Sequence, residues 1–160
     1  MVLPVVVFMF LVAIDQFTKW LAFNNLKDIG SIYLIEGVFN FTFVENRGAA
    51  FGLLQGARWF FVISTIIIVS IIIYYYIKMP KTKTYNLARW CLVLILSGAA
   101  GNFIDRLLNG YVIDFLHATF IKFMNFPVFN LADTYVVVGA LLLAVLVLFF
   151  IKEDTGVRNG

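Results

Sequence analysis

Two aspartates, Asp114 and Asp133, are the residues of this sequence best placed to carry chemistry. Asp114 follows a short apolar run, and Asp133 lies where a long apolar segment begins. A charged side chain in a membrane costs about 2.5–3.5 kcal/mol at a helix centre on insertion scales, so an acid beside lipid indicates a functional site. Two acids that approach each other would share a proton, which equips one as a base and the other as an acid. The pair therefore predicts activation of a water molecule.

A structural role competes with this interpretation for either aspartate taken alone. Each carboxylate could cap a helix, or it could pair with Arg106 or Lys122. Convergence of both acids on one face of the protein favours the chemical role.

Composition identifies the elements that must position these acids. The chain of 160 residues is 62% hydrophobic and 13% charged, with a mean hydropathy of +0.96, which is typical of an integral membrane protein. About 20 helical residues span the hydrocarbon of a bilayer. We expect a mainly α membrane protein, one domain over residues 1–160, with transmembrane helices at residues 2–23, 58–77, 87–107 and 132–151 and with outer loops at 24–57 and 108–131.

Charge predicts the orientation of the helices. The connection between the second and third helices carries Lys78, Lys81, Lys83 and Arg89 without an acid, which makes it cytoplasmic by the positive-inside rule. Both termini are then cytoplasmic as well, with weak support from Lys152 and Arg158. The first segment lacks a basic start and a small-residue cleavage site, so it is expected to be a retained helix. This orientation gathers the costly polar residues at the outer face.

The first outer loop predicts a β-hairpin. Phe39, Phe41 and Phe43 alternate with smaller or polar residues and follow a Glu36-Gly37 pair. Lipid cannot satisfy the edge of a sheet, so this extracytoplasmic platform should lie on the membrane surface or against the helices. Residues 111–115 and 126–129 are short enough to form additional strands.

Several polar residues near the outer ends of the helices have two interpretations each. Asp15 and Lys19 stand one helical turn apart, as in an intrahelical ion pair. Asn102 and Arg106 can donate hydrogen bonds, either as a brace for the acids or as a clamp for substrate, and both roles remain open. The small residues 97–101 favour close packing of helices.

Other classes of site have little support. His117 is the sole histidine and has no serine or cysteine nucleophile beside it, and no metal-ligand spacing is present, so neither a metal nor another cofactor is expected. The lone Cys91 excludes an intramolecular disulfide and is expected to be a small packing residue. The basic residues form no patch with interleaved aromatics, which argues against a nucleic-acid partner.

Taken together, these stretches resemble the lipoprotein signal peptidase family, the type II signal peptidases of bacteria. The resemblance covers nearly the whole chain through ordered blocks: Asp15-Gln16-Phe17-Thr18-Lys19, Asn46-Arg47-Gly48-Ala49-Ala50-Phe51, Gly101-Asn102-Phe103-Ile104-Asp105-Arg106, Val112-Ile113-Asp114-Phe115 and Phe129-Asn130-Leu131-Ala132-Asp133. Ile113 stands where the family often has valine, and Thr134 where it usually has serine; neither change affects the acids.

The resemblance implies an aspartic endopeptidase of the bacterial cytoplasmic membrane. Such an enzyme removes the signal peptide from a prolipoprotein just before a cysteine that carries a diacylglyceryl group, without a cofactor. The catalytic pair corresponds to Asp114 and Asp133. The residues expected to support the pair or bind substrate are Asp15, Lys19, Asn46, Gly48, Asn102, Arg106, Asn130 and Ala132.

Two other functions are compatible with parts of the pattern. A small proton- or ion-coupled transporter subunit would use acids at helix ends as a relay, but it predicts polar residues across the full membrane depth. A non-catalytic assembly factor would use the aromatic loop for docking and would not need the aspartates. The expected partners of the peptidase are lipidated prolipoproteins and membrane lipid, and the expected state is a monomer.

Overall fold

Four long apolar helices form the body of the protein. The computed structural model describes residues 2–48, 54–119 and 126–151. Helix α1 covers Val2–Leu26, α2 Arg58–Lys78, α3 Lys83–Leu108 and α4 Leu131–Leu146, and a π-helical turn, Val147–Ile151, extends α4. Each of the four is long and apolar enough to cross a membrane, which confirms the four predicted helices.

Two helices extend beyond their predicted bounds because polar residues continue them. Asn24 and Asn25 donate side-chain hydrogen bonds to the carbonyls of Trp20 and Leu21, within the last turns of α1. At the start of α3, the Thr82 hydroxyl accepts a hydrogen bond from the Tyr85 N–H and caps the helix. A bound predicted from hydropathy stops at the end of the apolar span, so it leaves out polar residues that continue the helix.

Helix α3 is the central element and packs against the other three helices. Its close contact with α4 depends on glycine. A Cβ added to Gly98 would lie 2.2 Å from the Ala132 carbonyl oxygen, and one added to Gly139 of α4 would lie 2.8 Å from that of Cys91. The packing role predicted for residues 97–101 is therefore confirmed, and Cys91 is buried in the same contact.

Three antiparallel strands form a small sheet beside one end of the helices. Strands β1 (Ser31–Ile35) and β2 (Phe39–Asn46) make the predicted hairpin, with Gly37 at a φ of 71° in its turn. Strand β3 (Val112–Ala118) pairs with β2 and gives the order β1-β2-β3. The strand predicted near residue 111 thus exists.

The strand predicted for residues 126–129 is wrong. Only Phe129 pairs with the sheet, through a bridge to Leu116. Pro127 has no N–H to donate to a ladder, and the chain turns at Asn130 into α4. The single bridge attaches the start of α4 to β3.

The sheet packs against the helices through aromatic side chains. Phe41 and Phe43 contact a buried cluster that includes Ala22, Leu26 and Phe115. The rings of Phe23 and Phe43 lie 6.1 Å apart and nearly perpendicular. This packing holds β3, and with it Asp114, beside the ends of α1 and α4.

Arginines tie α2 to α3 at both ends. Arg58 donates a 2.6 Å hydrogen bond to the Leu107 carbonyl. At the other end, Arg89 donates to the carbonyls of Tyr76 and Met79. The basic connection between these helices therefore lies at the end of the bundle opposite β3.

Gly98→Ala should destabilise the protein, since the added methyl group meets the backbone of the first turn of α4 and overpacking costs about 1–3 kcal/mol. We expect the melting temperature in detergent to fall by several degrees. Ala140→Ser, which also adds one heavy atom but at an exposed position of α4, is the control and should leave it unchanged. An unaltered melting temperature for Gly98→Ala would contradict the close packing described.

Candidate active site

The structure gathers every sequence-predicted site residue at one end of the helix bundle. Each of the four helices except α2 contributes, and so do the ends of β2 and β3. The residues brought together are Asp15, Lys19, Asn46, Gly48, Asn102, Arg106, Asp114, Asn130, Ala132 and Asp133. Residues 49–51 of the second sequence block, Lys122, Lys152 and Arg158 lie outside the described residues.

Asp133 lies in the first turn of α4 and is held by a capping box. The Asn130 side-chain oxygen accepts a 2.9 Å hydrogen bond from the Asp133 N–H, and Asp133 Oδ2 accepts one of 3.1 Å from the Asn130 N–H. Asp133 Oδ1 accepts a third, of 2.7 Å, from Asn102 Nδ2. Asp133 does cap a helix, but it is only half-buried and it lines a cavity, so the cap leaves the carboxylate accessible.

Asp114 lies on β3 and is almost wholly buried. Its Oδ1 accepts a 2.7 Å hydrogen bond from Asn130 Nδ2, and its Oδ2 accepts one of 2.8 Å from Asn46 Nδ2. Asn46 is oriented in turn by the Gly48 N–H, which donates to its side-chain oxygen. Asn130 thus contacts both aspartates at once.

Burial and the neighbouring charge together change the acidity of Asp114. Loss of hydration is the larger effect and the negative charge of Asp133 is the second, and they raise the pKa of Asp114 to about 7. Hydrogen bonds from Asn46 and Asn130 act in the opposite direction but do not cancel them. Below about pH 7 Asp114 is therefore mainly protonated.

The aspartates open onto a cavity of about 870 Å³. Its polar end is formed by Asn46, Asn102, Arg106 and the two acids. Glu45, Arg47, Gln55 and Thr134 also line the cavity, but most of its lining surface is apolar. The apolar lining residues are Val44, Phe126, Pro127, Val128, Phe129, Val136, Val137 and Val138. A cavity with a small polar end and apolar walls suits a ligand that is part peptide and part hydrocarbon.

Arg106 projects into this cavity. Its guanidinium lies over the Phe61 ring, 4.8 Å from the ring centroid. It is attracted by the charges of Asp133, Asp114 and Asp105, yet among the described residues no group accepts a hydrogen bond from it. Arg106 lines the cavity beside the aspartates, and its planar guanidinium suits a carbonyl or carboxylate group of a ligand.

A second group of residues lies behind the cavity and does not line it. Lys19 is buried and binds Asp15, Asn102 and Asp105. Asp15 also accepts a hydrogen bond of 2.9 Å from the Ala132 N–H. The intrahelical ion pair predicted for Asp15 and Lys19 is present, but it belongs to a network that reaches three helices.

Asp105 and Gln16 belong to this network and were not among the predicted site residues. Asp105 accepts hydrogen bonds from the Ile113 N–H and from Gln16 Nε2. A signal existed, since Asp105 lies three residues after Asn102 on the same face of α3, and Gln16 adjoins Asp15. Both residues also fall within the blocks that carry the family resemblance.

Known proteins resemble this chain in sequence and in fold. Residues 7–149 match the family model described as Signal peptidase (SPase) II. A lipoprotein signal peptidase of Caldanaerobacter subterraneus subsp. tengcongensis is 47% identical over 148 residues, which cover 92% of this chain and 97% of that protein. One of Clostridioides difficile is 41% identical over 148 residues, which cover 92% of this chain and 96% of that protein.

Two solved structures share the fold. Both are described as bacterial membrane enzymes obtained by the in meso method, at 2.3 Å and 1.9 Å resolution. Their TM-scores are 0.82 and 0.80, each at 36% sequence identity. The matches cover 99% and 94% of this chain and 93% and 95% of the solved chains.

These findings confirm the predicted family and the predicted mainly α membrane fold. The matched residues include both aspartates and all four helices except the first residues of α1 and the last residues after α4. The chain is a multi-pass membrane protein of bacterial type, and it belongs to the type II signal peptidase family, the membrane aspartic endopeptidases called lipoprotein signal peptidases.

Proposed function

We propose that this chain removes the signal peptide from prolipoproteins whose cysteine carries a diacylglyceryl group, cleaving just before that cysteine, with Asp114 and Asp133 as the catalytic residues. One observation carries the assignment: Asn130 binds both carboxyl groups at one end of a largely apolar cavity. A buried acid that keeps its proton beside a more exposed ionised acid is the arrangement that activates water in aspartic peptidases.

The reaction needs only water and the two carboxyl groups. Asp133, as the ionised partner, takes a proton from water while the water oxygen attacks the scissile carbonyl carbon. Neutral Asp114 donates its proton to the carbonyl oxygen, which gives a tetrahedral diol. When the C–N bond breaks, a diol hydroxyl returns its proton to Asp114 and Asp133 transfers its own to the leaving nitrogen. Both acids then regain their starting states.

The neighbouring side chains have separate roles in this proposal. Asn46 and Asn130 each donate to Asp114, and Asn102 donates to Asp133, so these amides hold the carboxyl groups in place. Arg106 has donors free of partners among the described residues and would anchor carbonyl groups of the substrate. The sequence left brace and clamp open for Asn102 and Arg106, and the contacts support a brace for the first and a clamp for the second.

The position of the cavity near the membrane interface supports a lipidated substrate. Trp20 and Trp59 are exposed on α1 and α2 near the ends of these helices that adjoin the site, where tryptophan marks the membrane interface. Val137 and Val138 line the cavity and are also exposed on the outer surface of α4, so the apolar wall continues into the lipid-facing surface. Each buried CH₂ of an acyl chain contributes about 0.8 kcal/mol, which would hold the modified cysteine at this depth.

Charge supports an active site near the outer face of the membrane. Lys78, Lys81 and Lys83 lie at the end of the bundle opposite the aspartates, and by the positive-inside rule that end is cytoplasmic. A single-domain monomer as the active unit stays part of this proposal, as expected from the sequence. A transporter relay is not favoured, since α1 before Asp15 and α4 after Asp133 contain no charged residue.

Replacement of either catalytic aspartate should abolish cleavage. Asp114→Asn and Asp133→Asn keep the shape of the side chain but cannot exchange protons, and loss of acid–base catalysis typically lowers kcat about 10²- to 10⁴-fold. The assay is release of the signal peptide from a diacylglyceryl-modified prolipoprotein by purified protein in detergent. Asp28→Asn, at an exposed position, is the matched control and should keep wild-type activity. Full activity in either folded dyad variant would reject the aspartyl mechanism.

The activity should fall at alkaline pH because Asp114 must be protonated. Its pKa is raised to about 7, so the acid is neutral below that pH and ionised above it. We expect kcat/KM to decrease about tenfold per pH unit above the pKa of the pair in the free enzyme. Melting temperatures measured over the same pH range separate this loss from unfolding. A constant kcat/KM from pH 6 to pH 9 would show that no such proton is required.

Arg106→Ala should reduce cleavage far more than folding. A hydrogen bond to a charged group contributes about 1.5–3 kcal/mol, which corresponds to roughly a 10- to 100-fold loss of kcat/KM. Arg106→Lys keeps the charge but lacks the planar guanidinium, so its kcat/KM should lie between those of wild type and Arg106→Ala. The melting temperature in detergent is the accompanying measurement. If activity declines only in proportion to folded protein, Arg106 is a structural brace and the clamp assignment is wrong.

A further inference from the structure

A buried ionic cluster, formed by Asp15, Lys19 and Asp105, lies behind the two aspartates and contacts Asn102 of the cavity wall. The Lys19 ammonium is 2.9 Å from Asp15 Oδ2, 3.1 Å from Asp105 Oδ2 and 2.9 Å from Asn102 Oδ1, so each of its three N–H groups has an acceptor. The side chains of Lys19, Asp15 and Asp105 are 2%, 0% and 3% exposed. Buried ion pairs are weak sources of stability because desolvation offsets their attraction. The cluster therefore calls for a role beyond stabilising the fold.

The two carboxylates of this cluster hold the backbone immediately before each catalytic aspartate. Asp15 Oδ1 accepts a 2.9 Å hydrogen bond from the N–H of Ala132, the residue before Asp133. Asp105 Oδ2 accepts one of 3.0 Å from the N–H of Ile113, the residue before Asp114. The two contacts are equivalent. In each, a buried carboxylate accepts a hydrogen bond from the N–H of the residue just before Asp114 or Asp133.

Lys19 joins these two carboxylates to each other. Its ammonium bridges Asp15 on α1 and Asp105 on α3, so the peptide before Asp133 and the peptide before Asp114 are connected through one cation. Gln16 Nε2 makes a second, uncharged bridge between the same carboxylates, at 3.2 Å and 3.1 Å. This double bridge connects the start of α4 to β3 behind the two aspartates.

The third donor of Lys19 orients an amide that binds Asp133. Because the ammonium needs an acceptor, the Asn102 side-chain oxygen faces Lys19, and its Nδ2 then faces Asp133 Oδ1 at 2.7 Å. The same oxygen accepts a 3.1 Å hydrogen bond from Asn130 Nδ2, the group that also donates to Asp114. Rotation of the Asn102 amide would place its NH₂ against the ammonium, so Lys19 excludes it.

We propose that Lys19 is a positioning residue that sets the separation and orientation of Asp114 and Asp133, by bridging the carboxylates that hold Ile113 and Ala132 and by fixing the Asn102 amide. The inference rests on the proposed function. Lys19 does not line the cavity, so it acts on the reaction only through the pair. Misplacement of reacting groups by about 1 Å can cost on the order of 10²-fold in rate, so a small shift of this bridge affects turnover.

The test uses variants that keep size and remove charge. Asp105→Asn and Asp15→Asn retain an oxygen that can accept the backbone N–H but weaken the link to Lys19, and Asp28→Asn is the matched exposed control. We expect kcat per folded molecule to fall on the order of 10- to 100-fold in both buried variants. KM should stay within about twofold of wild type, because the cavity-lining residues are unchanged. Folded protein is quantified by size-exclusion chromatography and by the melting transition.

Three results would overturn the proposal. The first is a lower melting temperature with wild-type kcat per folded molecule, which would show that the cluster stabilises the fold and does not act on the reaction. The second is a raised KM with unchanged kcat, which marks a role in substrate binding. The third is failure of both variants to fold, since the cluster would then act on folding rather than on the reaction. Activity in Asp114→Asn or Asp133→Asn would instead refute the proposed function itself, so the two failures remain distinguishable.

Discussion

The two aspartates face a common cavity because Asn130 binds both of them. Its side-chain oxygen and backbone N–H complete the capping box with Asp133, and its amide nitrogen donates to Asp114. A side-chain cap contributes about 0.5–2 kcal/mol to a helix, but here the same residue also determines where the second carboxyl group lies. The bridge between Phe129 and Leu116, one residue earlier, attaches this turn to β3. The residue that caps α4 thus also brings the two carboxyl groups of the candidate active site together.

Close packing of α3 and α4 is the condition for this arrangement. Lipid provides no hydrophobic force between helices, so their association depends on backbone approach and on polar contacts across the interface. Gly98 lets the first turn of α4 lie directly on α3, which brings Asn102 within 2.7 Å of Asp133. Gly101 likewise leaves room for Asp15, whose Oδ2 would lie 2.4 Å from an added Cβ. The glycines create the space, and the polar residues occupy it.

Patterns within one segment made much of the protein predictable. The four helices, the hairpin and the two aspartates follow from apolar length, alternation and the cost of charge beside lipid. The strand predicted for residues 126–129 was wrong because a short apolar run becomes a strand only where another strand pairs with it. In this segment only Phe129 pairs with the sheet. Asp105 was missed for a related reason: its partners Lys19 and Ile113 lie on other elements, and local spacing does not show which distant N–H a carboxylate will hold.

The different environments of the two carboxyl groups are compatible with the opposite roles proposed for them. Asp114 is enclosed by β3, Asn46 and Asn130, and there the loss of water favours its neutral form. Asp133 stands at a helix N-terminus, where its carboxyl group accepts hydrogen bonds from the Asn130 backbone N–H and from the Asn102 amide. Its negative charge opposes ionisation of Asp114. The two carboxyl groups thus differ in burial and in hydrogen-bond partners, which is the difference that the proposed division into an acid and a base requires.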